Sequence, residues 1–474
     1  MLMQEYDRPS DPRLLPRKSR EDLGRSARSS RPLEDHAALG PGERDPIAIL
    51  EHQALSRVAG LVGLRYARMA TSPFAFYRGA AAIMAGDLRE LPDSGVQTQL
   101  CGDAHLSNVG FYASPERALV IDLNDFDETA PGPFEWDVKR MAASFEIAAR
   151  ARGFDDRDRS AIVERVGRAY AAAMDTAVRT PALELFTARL DIDTVMADIG
   201  SELPEKASER VEESVTKTYR RDSRQAADKL AVRDDDGVLR FKSDPPLLTP
   251  LRELAEREGM SFETALARLH DVLEQYRATL PPERRRLLER YRMVDAAMKV
   301  VGVGSVGTRA WVVLLQGDAK RDVLVLQAKE AQRSVIEPPD GSSAYAHQGQ
   351  RVVRGQRIMQ SLGDILLGWT TGEGFDGRMR DLYLRQFRDW KGSAEPERME
   401  PATMRMYAQY CGIVLARAHA RGGDPATISG YLGGGKTFAH ALVGFAAAYA
   451  DRTEADHAAL LSAIASGRLE AATR

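Results

Sequence analysis

Only two cysteines occur in 474 residues, Cys101 and Cys411. They stand too far apart to frame a disulfide scaffold or a zinc site, and a reducing, cytoplasmic setting fits. Cys101 has no nucleophile's partners around it in sequence and reads as a small buried residue. Long apolar runs are missing too. No stretch approaches a membrane span, and the first residues lack the apolar core of a signal peptide. An excess of one charge is also absent: 66 Lys and Arg against 69 Asp and Glu leave a net charge of -3. That balance gives no reason to expect nucleic acid or an anionic membrane as partner. No internal repeat is evident, and nothing in the sequence sets the oligomeric state. Residues 1–44 are poor in apolar side chains and rich in Arg, Asp, Ser and Pro, so they are expected to form a mobile leader.

What is present is a dense run of polar chemistry. Gly102-Asp103-Ala104-His105-Leu106-Ser107-Asn108 is followed by Ile121-Asp122-Leu123-Asn124-Asp125-Phe126-Asp127-Glu128. Phosphoryl transfer needs a carboxylate beside the attacking hydroxyl and oxygen ligands for Mg²⁺ at the nucleotide phosphates. Asp103 supplies the first, and Asn108, five residues on, has an amide oxygen of the second kind. Ala118 to Ile121 reads as a short strand delivering Asp122, Asp125 and Asp127 into a loop closed by Pro131, Gly132 and Pro133. Acids so crowded repel one another, and a cation relieves them; a solvated acidic loop is the plainer reading. His105 serves either a hydrogen bond within the loop or a phosphate. Gly-Asp and Ser-Asn also make ordinary turns, so the context carries the assignment.

A second constellation lies about two hundred residues downstream. Gly302, Gly304, Ser305 and Gly307 sit in Val300 to Arg309, followed by the apolar runs Trp311–Leu315 and Val323–Leu326 and then Lys329. A G-x-G-x-x-G alone also suits a dinucleotide-binding turn, which opens a helix. Here β-branched and apolar residues continue on both sides, the pattern of a hairpin. The glycines then form a flap over phosphates. Lys329 resembles the lysine that pairs with the α- and β-phosphates in kinases.

The wider wording resembles the bacterial family called domain of unknown function 2252, within the protein-kinase-like superfamily. The strings that carry the resemblance are Arg65–Met69 with Ser72–Gly79, the Asp103 segment, Asp122–Glu128 with Trp136–Arg140, Lys299–Arg309, Gln348–Gln360 and Tyr383–Lys391. It implies an α+β, two-lobed, kinase-like fold with a mainly helical large lobe, similar to aminoglycoside phosphotransferase-type kinases. Kinases place the glycine loop and lysine before the catalytic loop, whereas here Asp103 precedes Gly302 and Lys329. The chain therefore reads as circularly permuted. The implied parts are a leader (1–44), a catalytic and metal-binding part (45–150), a helical bridge (151–290), a nucleotide lobe (291–392) and a helical C-terminal part (393–474). Tyr345–Leu367 is expected to be the small-lobe helix, Tyr383–Phe387 the strand before the hinge, and Met404–His419 the first large-lobe helix. Phe438–Tyr449 and Asp456–Ile464 are expected as further helices.

The implied function is ATP- and Mg²⁺-dependent transfer of phosphate to a hydroxyl of a small molecule or protein. Asp103 with His105 would serve the chemistry, and Asn108 with Asp122, Asp125 or Asp127 the metal. Gly302, Gly304, Ser305, Gly307 and Lys329 would hold the nucleotide. Asp137 is expected to brace the catalytic segment. A kinase's small-lobe helix brings a glutamate to the lysine, yet Tyr345–Leu362 contains no carboxylate. Glu330, Glu337 or Asp364, or the neutral Gln350, Gln356 and Gln360, are the candidate substitutes. A kinase-like enzyme that transfers adenylate, or an inactive nucleotide-binding regulator, stays open on the same residues.

Overall fold

A computed structural model describes residues 12–300, 302–319 and 321–472. The fold is mixed α+β, predominantly helical, and each strand pairing within its sheets is antiparallel. Its largest sheet has six strands, in the order Gly368–Glu373, Met379–Gln386, Val323–Glu330, Ala310–Gln316, Arg292–Lys299 and Leu248–Pro250. Strand Val323–Glu330 reads VLVLQAKE, and side-chain alternation sorts it. Leu324, Leu326 and Ala328 face a core with Leu251, Ala255, Leu273 and Tyr276 of the helices Leu251–Arg257 and Phe262–Ala278. Gln327 and Lys329 therefore share the opposite face. There Val325 packs with Val312, Leu314 and Ala297 under Ala226, Ala227 and Phe241.

The glycine segment joins Arg292–Lys299 to Ala310–Gln316, two antiparallel neighbours, and opens no helix. The hairpin pattern thus holds, and a dinucleotide-type strand-to-helix turn does not. Between the third and fourth strands of this hairpin series runs the helix Gln348–Met359. It is shorter than the expected 345–367, because the His347 side chain accepts a hydrogen bond from the Gln350 amide to cap its start. Its end is Gln360, in extended conformation, three residues before Gly363.

The helical body is built on Phe134–Ala151, Asp156–Arg179, Pro401–Gly422 and Lys436–Ala465. The last of these runs unbroken through the expected helical stretches Phe438–Tyr449 and Asp456–Ile464. Residues 134–149 are buried on every side, as a helix at the centre of a bundle must be. The middle region is helical as expected, and it also supplies the hairpin Ala231–Arg233/Leu239–Phe241 and the edge strand Leu248–Pro250.

The leader is corrected from residue 12 onward; residues 1–11 lie outside the described residues. Arg17–Ala27 is a helix docked on Pro425–Leu432. The two backbones approach so closely that a Cβ on Gly24 would fall 2.0 Å from the Thr427 carbonyl oxygen, and one on Gly430 would fall 2.2 Å from that of Glu21. Arg28 then donates to the carbonyls of Gly430 and Tyr431, at 2.7 and 2.6 Å. Docking by backbone approach needs little apolar area, which is why composition misses it.

Candidate functional site

Strand Gln97–Leu100 pairs with Ala130–Pro133 and releases the chain into the segment Cys101–Asn108. Gly102 turns there with φ +84°, and a Cβ on it would lie 2.1 Å from the Glu128 carbonyl oxygen. The turn is held by Asp137, whose carboxylate accepts from the Cys101 and Gly102 amides at 2.6 and 3.0 Å. Buried His419, itself bonded to Tyr170, lies 3.2 Å from the same carboxylate. The bracing role expected of Asp137 matches this geometry. Asn108 donates its Nδ2 to the Asp103 carbonyl at 2.7 Å, closing the segment on itself.

The Asp103 carboxylate accepts from Arg140 Nε at 2.6 Å, while its side chain retains 22% exposure. Burial pushes its pKa up to about 7 against the opposing pull of Arg140. A carboxylate titrating near neutrality suits proton acceptance. His105 Nε2 stands 3.9 Å from Asp103, and burial, with Arg140 and Arg78 adding, drives its pKa well down. Its Nδ1 is buried with no hydrogen-bond partner.

Lys329 Nζ meets Asp127 Oδ2 at 2.9 Å, although 202 residues separate them in the chain. Tyr383, directly opposite Lys329 in the neighbouring strand, donates its hydroxyl to the other Asp127 oxygen. The pairing holds the lysine charged: burial alone lowers its pKa, and Asp127, Tyr383 and Asp125 raise it further than that. At Asp125 burial works upward and is outweighed by Lys329, Arg385 and Lys391, leaving its carboxyl below the usual range. Burial, with Arg385 next, pulls Lys391 down to about 7.

Lys329 thus finds its partner on the acid loop, and the acidic candidates expected from sequence are engaged elsewhere. Glu330 pairs with Arg309 at 3.1 Å, Glu337 accepts from Ser343 at 2.7 Å, and Asp364 accepts from the Gln386 side chain at 2.9 Å. Gln356 donates to Gln360, which reaches the Leu123 carbonyl. From the position where a carboxylate was sought, the helix Gln348–Met359 sends fully buried Arg351. Its guanidinium binds the carbonyls of Asp127, Thr129 and Gln332, fixing the acid loop by its backbone.

Asp122 belongs to a different environment. It sits in strand Leu119–Leu123, opposite Gly110, and faces Arg421 at 3.7 Å. Burial lifts it to about 6. The structure therefore gathers Asp125 and Asp127 at Lys329 and leaves Asp122 with Arg421. Among the described residues no group of three or more His, Cys, Asp or Glu side chains is arranged to hold a metal. The smaller set Asn108, Asp125 and Asp127 has the right donor chemistry for Mg²⁺, which takes one or two carboxylates and completes its octahedron with water and phosphate oxygens. Asn108 spends its amide nitrogen on Asp103, so its amide oxygen is the free end.

In the glycine segment, Gly302 and Gly307 adopt φ +66° and +88°, which bulkier residues reach only with strain. Gly304 approaches the Arg78 carbonyl so closely that a Cβ would stand 3.0 Å from it. Ser305 turns the loop, its carbonyl accepting from the Thr308 amide and hydroxyl. The segment ends at Ala310, the register partner of Lys329, while its body rests on the helices Ala59–Met69 and Pro73–Gly79. Sequence reasoning missed Arg140, Arg351, Arg385 and Lys391 as site residues. Their signal was there: all four lie inside the strings that carried the family resemblance.

The model of a family described as an uncharacterized protein conserved in bacteria (DUF2252) matches residues 57–463, most of the chain. No curated protein and no solved structure matches it.

Proposed function

This chain belongs to the DUF2252 family, and we propose that it is an ATP- and Mg²⁺-dependent phosphotransferase of circularly permuted, kinase-like fold, acting on a hydroxyl of a small molecule or protein. The observation that carries this reading is the ion pair between Lys329 and Asp127. A phosphate-binding lysine and a metal-binding loop have to share one cleft, and no other expectation from the sequence demanded contact between these two segments. The series of glycine hairpin, lysine strand, helix and two further strands supports the same reading, as does the Asp103 segment, whose Gly102 packs against the Glu128 carbonyl of the acid loop.

In this reading Asp103 accepts the proton of the acceptor hydroxyl as its oxygen attacks the terminal phosphorus. The bond to the bridging oxygen breaks, and ADP leaves with that oxygen's electrons. Arg140 holds the carboxylate in place, and Asp137 fixes the backbone that carries it. Lys329 releases Asp127 to clamp nucleotide phosphates, and Asn108, Asp125 and Asp127 would hold the Mg²⁺. That ion would neutralise charge on the phosphate oxygens.

A second reading, adenylate transfer, is favoured by one observation: the helix beside Lys329 brings Arg351 where phosphate-transferring kinases bring a carboxylate. ATP labelled separately at the α- and γ-phosphates, incubated with the protein, Mg²⁺ and a cell-metabolite extract, separates these readings. Transfer of γ-label to an acceptor is the expected result, and α-label on an acceptor would establish adenylation. Bound ATP with neither label transferred would make the protein a nucleotide-binding regulator.

A further inference from the structure

Four arginines gather at the glycine segment, and none of them makes an ion pair among the described residues, although Glu128 and Glu330 both favour the Arg57 cation from a distance. Arg57 donates to the Val306 carbonyl, Arg68 to the Gly302 carbonyl at 2.6 Å, and Arg65 to the Gly79 carbonyl at 3.1 Å. Arg78, whose own carbonyl abuts Gly304, makes no side-chain hydrogen bond or ion pair among the described residues. Arg140, by contrast, is paired directly with the Asp103 carboxylate. Arg65 is fully buried and leaves Nε and Nη1 unpartnered; Arg57 and Arg78 each leave a buried Nε. Burial and the like charge of Arg57 both act against the Arg65 cation. Guanidinium groups stay charged in proteins, so this is a standing cost that an anion would offset. Buried His105, with its orphaned Nδ1, lies in the field of Arg78 and beside Asp103.

We infer that Arg57, Arg65, Arg68 and Arg78, with the glycine segment as lid and His105 as the link to Asp103, form an oxyanion site for phosphate. Arg forks match phosphate oxygens in geometry as well as charge. The site adjoins the Asp103 end of the cleft, whereas Lys329 is surrounded by Asp127, Tyr383, Asp125 and Arg385. Phosphate reaches such a place from two sources: the terminal phosphate of the nucleotide, or an anionic group carried by the acceptor itself. The second source makes the acceptor a phosphorylated or similarly anionic alcohol. The link to catalysis rests on the phosphotransferase reading, while the anion site stands on the arginines alone.

The test is calorimetric titration of inorganic phosphate into the full-length protein at low ionic strength. It is run on the protein alone, with saturating Mg²⁺ADP, and with a saturating non-hydrolysable ATP analogue. Arg78→Gln is the main variant, since its guanidinium holds no partner among the described residues and its loss should leave the melting temperature unchanged. Arg68→Gln is the second. We expect phosphate binding at least tenfold weaker in Arg78→Gln. Binding that survives the ATP analogue and depends on Arg78 assigns the site to the acceptor. Binding seen with ADP and abolished by the analogue assigns it to the terminal phosphate. Phosphate binding that needs Arg78 in a protein that takes no nucleotide would uphold the anion site and sink the kinase reading. Absence of phosphate binding in all three states, or equal affinity in both folded variants and the parent, overturns the inference.

Discussion

Lys329 and Asp127 form an ion pair of 2.9 Å in which the lysine is almost wholly buried and the aspartate is 29% exposed. The asymmetry gives the pair a working direction. The lysine is fixed by its strand, and the aspartate stands on a loop with an open side toward which it can be drawn by a bound cation.

Lys329→Ala should therefore weaken ATP binding at least tenfold, which corresponds to about 1.4 kcal/mol. It should also lower stability by about 2 kcal/mol, because Asp127 loses a charged hydrogen-bond donor at a partly open site. Calorimetry with ATP and denaturant unfolding check the two effects separately. Unchanged ATP affinity in a folded variant would remove Lys329 from the nucleotide site.

Asp103→Asn should cut turnover about 100-fold or more while ATP affinity persists. In the parent, activity should rise through pH about 7, where Asp103 becomes ionised. Stability moves the other way. The folded pKa lies above the ordinary 3.8, so the fold favours the protonated form; stability from this group is fully present below 3.8 and lost as pH rises to about 7. Melting curves of parent and variant across pH 4–8, with the pH–rate profile, test both limbs. A rate profile without the limb near 7 in the parent would exclude Asp103 as the base.

Asp125→Asn should weaken Mn²⁺ binding in the presence of nucleotide about tenfold or more. Asp122→Asn should leave it unchanged, since Asp122 is occupied with Arg421. Paramagnetic titration of Mn²⁺ distinguishes them, and the reverse ranking would move the metal site to the strand.

Arg351→Met should destabilise the protein by about 3 kcal/mol, since it strips three carbonyls of a charged donor. Hydrogen exchange should accelerate across residues 125–129. Equal protection in parent and variant would mean that the acid loop is held by something other than this arginine.

The sequence carried the glycine hairpin because the β-pattern continues on both sides of Gly302–Gly307, a local property of the chain. It carried Lys329 and the acid loop as neighbours because their chemistry requires each other. It did not carry which acid meets the lysine. Asp122 is set by strand register against Gly110, whereas Asp125 and Asp127 lie beyond the strand, where no period governs which way a side chain points. Nor did it carry the lysine's partner, since absence of a carboxylate on the helix says nothing of where another comes from. The docked helix Arg17–Ala27 escaped because glycine contact, unlike an apolar stripe, leaves no mark on hydropathy.

The sequence separation of 202 between Asp127 and Lys329 also sets a schedule for the nascent chain. At ordinary synthesis rates of roughly 5–20 residues per second, Asp127 is made about 10–40 s before the lysine that neutralises it. Arg351, which ties down the same loop, comes later still. The half that carries Asp103 and the acid loop must therefore wait on the ribosome with its acids in water and its loop unfastened. Chains interrupted before residue 351 would lack Arg351 and also the helices Pro401–Gly422 and Lys436–Ala465 that pack on the helical body, so translational pausing in this interval bears directly on the yield of folded protein.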